Sequence, residues 1–442
     1  MLTRRSFIHR TAAAGAVLSF PSVLRSVNPN STVQVAAVGC MGKGLSDISE
    51  VGSHSSVKFV GFCDVDTARF READKKFPDV PHHQDYREMF AKLDDKFDAV
   101  TVSTPDHWHA PVAMAAMRLG KHVYCQKPLA HTVWEVRQMR RQAEMSGVIT
   151  QMGNQIHSHE AYRTGVKLIR DGVIGKIKAV HSWQPGEGNR LTKLTRRPAP
   201  SGAVVPASLD WNLWVGAAPM RDYEPDIYHP FKWRDWQDFG SGTMGDFGCH
   251  ILDPVFTALE LTAPITLRAE NTGLHPETWP VAETISYVFP GTQWTADKTL
   301  PVTWYDGGRQ PDRTLTLAPD DAKIASAGSL FIGEGRTMIL PHVGMPVLYP
   351  VEKFQNFAIE KVPGSSHYHA WVDGILTHTK TTDGFHYAGP LAEAAQLGNV
   401  ATRVPGQTLE WDAANLNIPN NASAAKLLTK AYRKGWEVPV AG

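Results

Sequence analysis

The chain has 442 residues, of which 42% are hydrophobic and 20% charged, with a formal net charge of +1. That length exceeds one ordinary domain and points to two, each with enough apolar residues for its own core. A near-neutral, evenly mixed chain excludes functions driven by a broad electrostatic field, so neither nucleic acid nor an anionic membrane surface is an expected partner.

At the N-terminus, Thr3-Arg4-Arg5-Ser6-Phe7-Ile8 precedes a small apolar run from Thr11 to Leu18, closed by Pro21. A charged start and an apolar run too short to span a bilayer read as an export signal. The paired arginines are similar to a twin-arginine signal, which moves a folded protein across the membrane; an ordinary basic terminus is the competing reading. No Ala-x-Ala site follows, so cleavage and retention as an anchor both stay open. Residues 1–30 are therefore assigned to targeting, with a periplasmic or otherwise exported destination.

From Val33 onward, short apolar runs alternate with helical patterns. Strands are expected at Val33–Val38, Val57–Cys63, Ala99–Ser103, His122–Cys125 and Val148–Gln151. Helices are expected between them, including Asp85–Leu93, Pro111–Leu119 and Thr132–Met145. This alternation predicts an α/β unit, a Rossmann doubly wound parallel sheet over residues 31–153. After Gly153 the texture changes. A helix over Glu160–Ile169 leads into a Pro-, Gly- and Trp-rich stretch from Gln184 to Gly240, then into alternating runs between Ile265 and Ile339. Residues 154–442 thus read as an α+β domain with a largely antiparallel open sheet, on which the C-terminal segment, helical over Pro390–Val400, is expected to pack. Cys40, Cys63, Cys125 and Cys249 show no Cys-x-x-Cys spacing and read as small buried thiols.

The first strand ends in Gly39-Cys40-Met41-Gly42-Lys43-Gly44. A glycine-rich turn there lets backbone N–H groups approach a pyrophosphate at a helix N-terminus. Met41 occupies the middle glycine of G-x-G-x-x-G, so the motif is incomplete, and a plain tight turn is the alternative. Asp64 favours the nucleotide, because it ends the second strand 25 positions after Gly39. An acidic residue there accepts from adenosine ribose hydroxyls and repels a 2′-phosphate, which predicts NAD rather than NADP.

Beyond the later strand ends lie Thr104-Pro105-Asp106-His107, Gln126-Lys127-Pro128 and Gly153-Asn154-Gln155. Ligands of open parallel sheets bind at such ends, so these groups gather into one site. Asp246 and His250 are four apart, on one helical face, where a carboxylate and an imidazole together can bind a sugar hydroxyl and move its proton. A helix-capping aspartate with a core histidine is the alternative. Trp233 and Trp236 are the candidates, among several tryptophans, for flat surfaces under a sugar ring. The His-x-His pairs at 107/109, 157/159 and 367/369 lack an evident third ligand, and no metal is expected.

Together these segments resemble the glucose–fructose oxidoreductase/inositol dehydrogenase/MocA family over nearly the whole chain beyond the signal. The family's Glu-Lys-Pro is matched by Gln126-Lys127-Pro128, and its [Gly/Ser]-Gly-x-x-x-Asp-x-x-x-His by Ser241, Gly242, Asp246 and His250. Thr104-Pro105-Asp106-His107-Trp108-His109 and Met152-Gly153-Asn154-Gln155 are similar to its cofactor and substrate segments. The resemblance implies that Lys127 polarises the reacting oxygen, His250 exchanges the proton and Asp246 orients the substrate. It implies cofactor contacts from Gly39, Met41, Gly42, Asp64, Thr104, Pro105, His107, Gln126 and Asn154, and substrate contacts from Gln155, Trp233 and Trp236. Gln126 departs from the family's Glu and removes a charge beside Lys127. The expected activity is hydride transfer between NAD and a hydroxyl carbon of a sugar, glycoside or polyol, at C3 of a glycoside as the specific expectation, with NAD tightly bound in a homo-oligomer. A glycosidase or lyase that oxidises its substrate transiently, and a non-catalytic sugar-binding relative, are the alternatives.

Overall fold

The computed structural model describes residues 32–442; the expected export signal at 1–30 lies outside them. The first part of the chain alternates strand and helix. Its elements are β1 (Val33–Val38), α1 (Lys43–Gly52), β2 (Val57–Cys63), α2 (Arg71–Lys76), β3 (His82–His83) and α3 (Tyr86–Leu93). They continue with β4 (Ala99–Val102), α4 (His109–Arg118), β5 (His122–Gln126), α5 (Val133–Ser146) and β6 (Thr150–Gly153). The six strands are parallel in the order β3-β2-β1-β4-β5-β6. The order reverses between β1 and β4, and their C-terminal ends flank the crevice where ligands of such sheets bind. Strand β3 has only two residues, too few to show alternation, and sequence periodicity misses it.

Burial alternates along β1 as a sheet covered on both faces requires. Ala36 and Val38 join a core with α3, α4 and α5, whereas Val33, Val35 and Ala37 join one with α1 and α2. Helix α5 starts where the sequence marks it, because Thr132 and Glu135 form a reciprocal capping box. Gly147 ends it in the left-handed conformation.

The second part contains α6 (Glu160–Arg170), β7 (Ala179–Trp183), α7 (Trp211–Val215), α8 (Gly242–Ile251), α9 (Asp253–Leu259), β8 (Thr266–Asn271) and β9 (Glu283–Pro290). It continues with β10 (Thr299–Tyr305), β11 (Gly328–Ile332), β12 (Thr337–Pro341) and β13 (Val347–Tyr349). The last elements are α10 (His367–Thr377), α11 (Phe385–Thr402), β14 (Leu409–Glu410) and α12 (Ala422–Lys426). Eight strands form an open sheet in the order β13-β12-β11-β7-β10-β9-β8-β14. Only the central β7–β10 pair is parallel. All four cysteines are free and buried.

The expectation that the C-terminal segment packs on this second sheet holds only in part. Helix α11 touches β8 and β9, but it also packs along α5 of the first unit. Helix α10 belongs to the first sheet, where Trp371, Val372, Ile375 and Leu376 are buried with Val33, Val35 and Ala37. Near the end of the chain, Tyr432 donates to Glu135 on α5 at 2.8 Å, and Trp436 packs edge-on to Trp108 at 5.4 Å. The parallel sheet has only α1 and α2 of its own on that face, so the apolar surface left between them is closed by α10. Trp371→Ala is expected to cost about 3–5 kcal/mol of stability, read by urea unfolding. A loss below about 1 kcal/mol would mean that the helix is not integral to the first unit.

Candidate active site

A cleft of about 610 Å³ opens at the C-terminal ends of β1, β2, β4 and β5 and runs to α8 of the second unit. Gly39, Met41, Gly42, Asp64, Thr104, Pro105, Gln126, Lys127, Gln155, Trp233, Asp246 and His250 all line it. Twelve of the fifteen expected residues therefore meet in one place.

The nucleotide end is built by close approach. Gly39 has φ +92°, and a Cβ there would lie 2.3 Å from the Ser103 carbonyl oxygen; a Cβ at Gly44 would lie 2.2 Å from that of Gly39. Only glycine fits either position, which packs the turn against β4 and brings α1 close beneath it. No side chain caps the N-terminus of α1, and its first turn carries no acidic residue. That leaves an N-terminus suited to a phosphate group. Met41, which stands where the middle glycine would, is 41% exposed and lines the cleft.

Asp64 accepts the backbone N–H groups of Cys40 at 2.9 Å and Asp66 at 3.1 Å. Burial pushes its carboxyl up to about 6 against these bonds. Thr104 lines the cleft, but its Oγ1 is turned away from solvent and has no hydrogen-bond partner within the protein. The cradle, the open helix end and Asp64 together fit a dinucleotide. Asp64→Ala is expected to weaken NAD binding about 10–100-fold, the worth of one charge-assisted hydrogen bond. It should also narrow the preference over NADP, since Arg69 already lines the cleft nearby. Calorimetric titration with both nucleotides checks this, and unchanged affinities would remove Asp64 from the ribose site.

Gln126 explains its own departure from Glu. Its Nε2 donates at 2.8 Å to Asp47 Oδ2, which also accepts from Ser103 Oγ at 2.7 Å, while Asp47 Oδ1 pairs with Lys43. The carboxylate missing at position 126 thus stands on α1 instead. Gln126→Glu would set two buried carboxylates against each other and is expected to cost about 1–3 kcal/mol. Adding Asp47→Asn should recover most of that loss in thermal unfolding. A double variant no better than the single would show the pair to be independent.

The reaction end centres on Lys127. Its ammonium donates to the Asp246 backbone oxygen at 2.7 Å and to its carboxylate at 2.6 Å. Arg190 donates to the other carboxylate oxygen, and Arg234 stands 3.5 Å from the first. Burial would raise the Asp246 carboxyl, but Lys127, Arg234 and Arg190 overrule it and hold it well below the usual carboxylate range. Asp246 is therefore permanently charged and holds Lys127 in place; it is no proton donor. Beneath lies Asp106, a buried carboxyl that burial pushes up to about 7 in spite of Lys127.

His250 is held neutral, well below its ordinary value, by burial and by the charge of Lys127. Its Nδ1 faces Asn154 Oδ1, while Asn154 Nδ2 donates at 3.1 Å to the Cys249 carbonyl. That second bond fixes the amide's orientation, so His250 Nδ1 must carry the hydrogen and Nε2 the lone pair.

Three expected positions lie outside the cleft wall. His107 is fully buried, its Nε2 bound to the Trp214 carbonyl and its ring packed on Trp214 and Phe239, and burial lowers it to about 3. The turn over Asp106–Trp108 aims it inward and puts Trp108 on the cleft instead. Trp236 is fully buried, donating to the Ile227 carbonyl at 2.8 Å. Trp214, not one of the two candidates, lines the cleft together with Trp233. Asn154, also fully buried, is the partner of His250 rather than a cofactor ligand. Arg190, Arg234 and Asp47 were missed by sequence reasoning, and Asp106 was placed at the site without a role of its own. Only Arg234, flanked by Trp233 and Asp235, carries a local signal: its guanidinium lies over the Trp233 ring at 4.3 Å.

A Rossmann unit with a cleft shared by a second, open-sheet unit defines a dinucleotide-binding protein with a separate substrate domain. Residues 33–154 match the oxidoreductase family NAD-binding Rossmann fold and residues 165–293 match that family's C-terminal alpha/beta domain. The chain belongs to the Gfo/Idh/MocA oxidoreductase family.

Among curated relatives, levoglucosan dehydrogenase of Pseudarthrobacter phenanthrenivorans is 25% identical over 183 residues, 41% of this chain and 37% of that protein. A glycosyl hydrolase family 109 protein of Shewanella sp. is 27% identical over 179 residues, 38% of this chain and 39% of that one. The matched region thus spans well under half of either relative. The solved levoglucosan dehydrogenase in complex with NADH and levoglucosan aligns with TM-score 0.60 at 14% identity, covering 86% of this chain and 99% of that one. An aldose-aldose oxidoreductase from Caulobacter crescentus aligns with TM-score 0.57 at 14% identity, covering 86% and 100%. At these identities the structures establish the fold.

Proposed function

We propose that the protein is an NAD-dependent oxidoreductase acting on a hydroxyl carbon of a sugar or glycoside, with C3 of a glycoside as the specific position. The observation that carries this reading is the meeting of Lys127 and His250 in the cleft, one cationic and the other neutral with its lone pair assigned to Nε2. Bound NAD supplies the hydride acceptor. Lys127 holds the reacting oxygen and stabilises negative charge developing on it. His250 Nε2 takes the hydroxyl proton, and Asn154 keeps the ring in the tautomer that can do so. Asp246, saturated by three cations, fixes Lys127 rather than titrating. Trp108, Trp214 and Trp233 offer flat apolar walls suited to a sugar ring.

The test is to release and identify the nucleotide in purified protein, then to add alkyl and aryl glycosides without any external acceptor. A stoichiometric rise in NADH absorbance is expected. A protein that holds no nucleotide and has no affinity for NAD would overturn the reading. A second reading, glycosidase action with NAD regenerated in each cycle, is favoured by the similarity to family 109 glycosyl hydrolases. Catalytic release of phenol from aryl glycosides, with no lasting NADH signal, would establish it instead.

A further inference from the structure

We propose that His157, Asp253 and Asp383 form a binding site for one divalent transition-metal ion, of the zinc or manganese type, outside the cleft. One ligand atom from each side chain lies within 4.8 Å of the other two. The three come from separate segments: the turn after β6, the start of α9, and the loop between α10 and α11.

Asp383 carries the argument. It is 1% exposed, and neither of its carboxylate oxygens has a hydrogen-bond partner. No other carboxylate among the described residues has both oxygens in that condition. A buried acid without partners is costly unless something completes it. Asp253 is 2% exposed, and among the described residues neither aspartate has a lysine or arginine within ion-pair distance. An imidazole–carboxylate pair alone would account for His157 and Asp253 and would leave Asp383 idle.

The details suit an ion. His157 Nδ1 is 2.9 and 3.2 Å from the two Asp253 oxygens. Two donors about 2.0–2.2 Å from a tetrahedral zinc ion stand roughly 3.3–3.6 Å apart, so the longer of these distances is close to what an ion needs. His157 Nε2 is 3.1 Å from Thr382 Oγ1, which can orient the ring by taking its remaining N–H. Tyr387 donates to Asp253 Oδ1 at 2.8 Å and so orients that carboxylate in turn. One imidazole and two carboxylates favour zinc or manganese over the soft metals that thiolates select and over an all-oxygen calcium cage. The sequence offered only His157 and His159 as a pair; the aspartates lie far along the chain.

The site would be structural. Asn154 lies three residues before His157, and Asp253 lies three after His250, so an ion here ties together the two segments that carry the His250–Asn154 contact.

The test uses the full chain, purified without chelator, with metal content measured by mass spectrometry. About one zinc or manganese ion per chain is expected. EDTA treatment should lower the melting midpoint by roughly 5 °C, and zinc or manganese alone should restore it where magnesium or calcium does not. Asp383→Asn should bind the restoring metal at least 100-fold more weakly and melt at a midpoint indifferent to it. His157→Gln, at the cluster's more exposed position, gives the same readout if the first variant does not fold. Metal-free protein whose midpoint no ion moves, with Asp383→Asn melting above the wild type, would overturn the proposal and show a protonated carboxyl beside a charged imidazole.

Discussion

Replacing Lys127 with alanine is expected to cut kcat roughly 1000-fold while leaving NAD bound. The fold should survive, because Asp246 keeps Arg190 and Arg234 as partners once the ammonium is gone. The cofactor should also stay, because the features that suit its phosphate and adenosine ends lie around Gly39, α1 and Asp64. Neither arginine can take over. Arg190 is bound to Asp246 and Thr243, and Arg234 lies against the Trp233 ring, so neither presents a compact ammonium at the reacting oxygen. Lys127→Arg should be nearly as slow as the alanine variant for the same reason. Single-turnover NADH formation together with calorimetric NAD binding checks both halves. Activity within tenfold of wild type would take Lys127 out of the chemistry.

His250→Ala should lose about 100- to 10,000-fold in kcat, the usual worth of a positioned general base. The sharper experiment replaces the residue behind it. In the wild type, burial and Lys127 keep His250 neutral across the physiological range, so no histidine limb should appear in the kcat profile near neutral pH. Asn154→Asp puts a negative acceptor at Nδ1 and favours the imidazolium, which raises the pKa of His250. An acid limb should therefore enter the profile, with activity lost as pH falls through it. A structural role for Asn154 would change stability or KM without creating that limb. Superimposable wild-type and variant profiles would remove Asn154 as the partner that sets the tautomer.

The parts of the site legible in the sequence are those that the sheet itself dictates. Gly39, Asp64, Gln126 and Lys127 follow apolar strands, and parallel strands deliver their C-terminal ends to one edge whatever the helices do. Asp246 and His250 were legible because a four-residue spacing puts both on one helical face. His107 was not, because the direction of a side chain in a single turn after a strand depends on the tertiary wall it meets, here Trp214 and Phe239. Trp236 stands in a stretch without helical or strand periodicity, where composition cannot separate a core ring from a cleft ring. Arg190 reaches Asp246 from the same irregular stretch, 56 positions away. Helix α10 was not among the expected elements, and nothing local in His367–Thr377 says which of the two sheets it buries against.

That placement of α10 sets the order of events during synthesis. Lys43, at the cleft, hydrogen-bonds Tyr368 on α10 at 2.7 Å across 325 positions of chain. At about 5–20 residues per second, the ribosome makes the second partner roughly 15–65 s after the first. Through that interval the nascent sheet shows water, or a chaperone, the apolar face that Trp371 will later cover. The Lys43–Tyr368 contact and the cover over that face therefore become available only after α10 has been made, long after the glycine-rich turn has emerged.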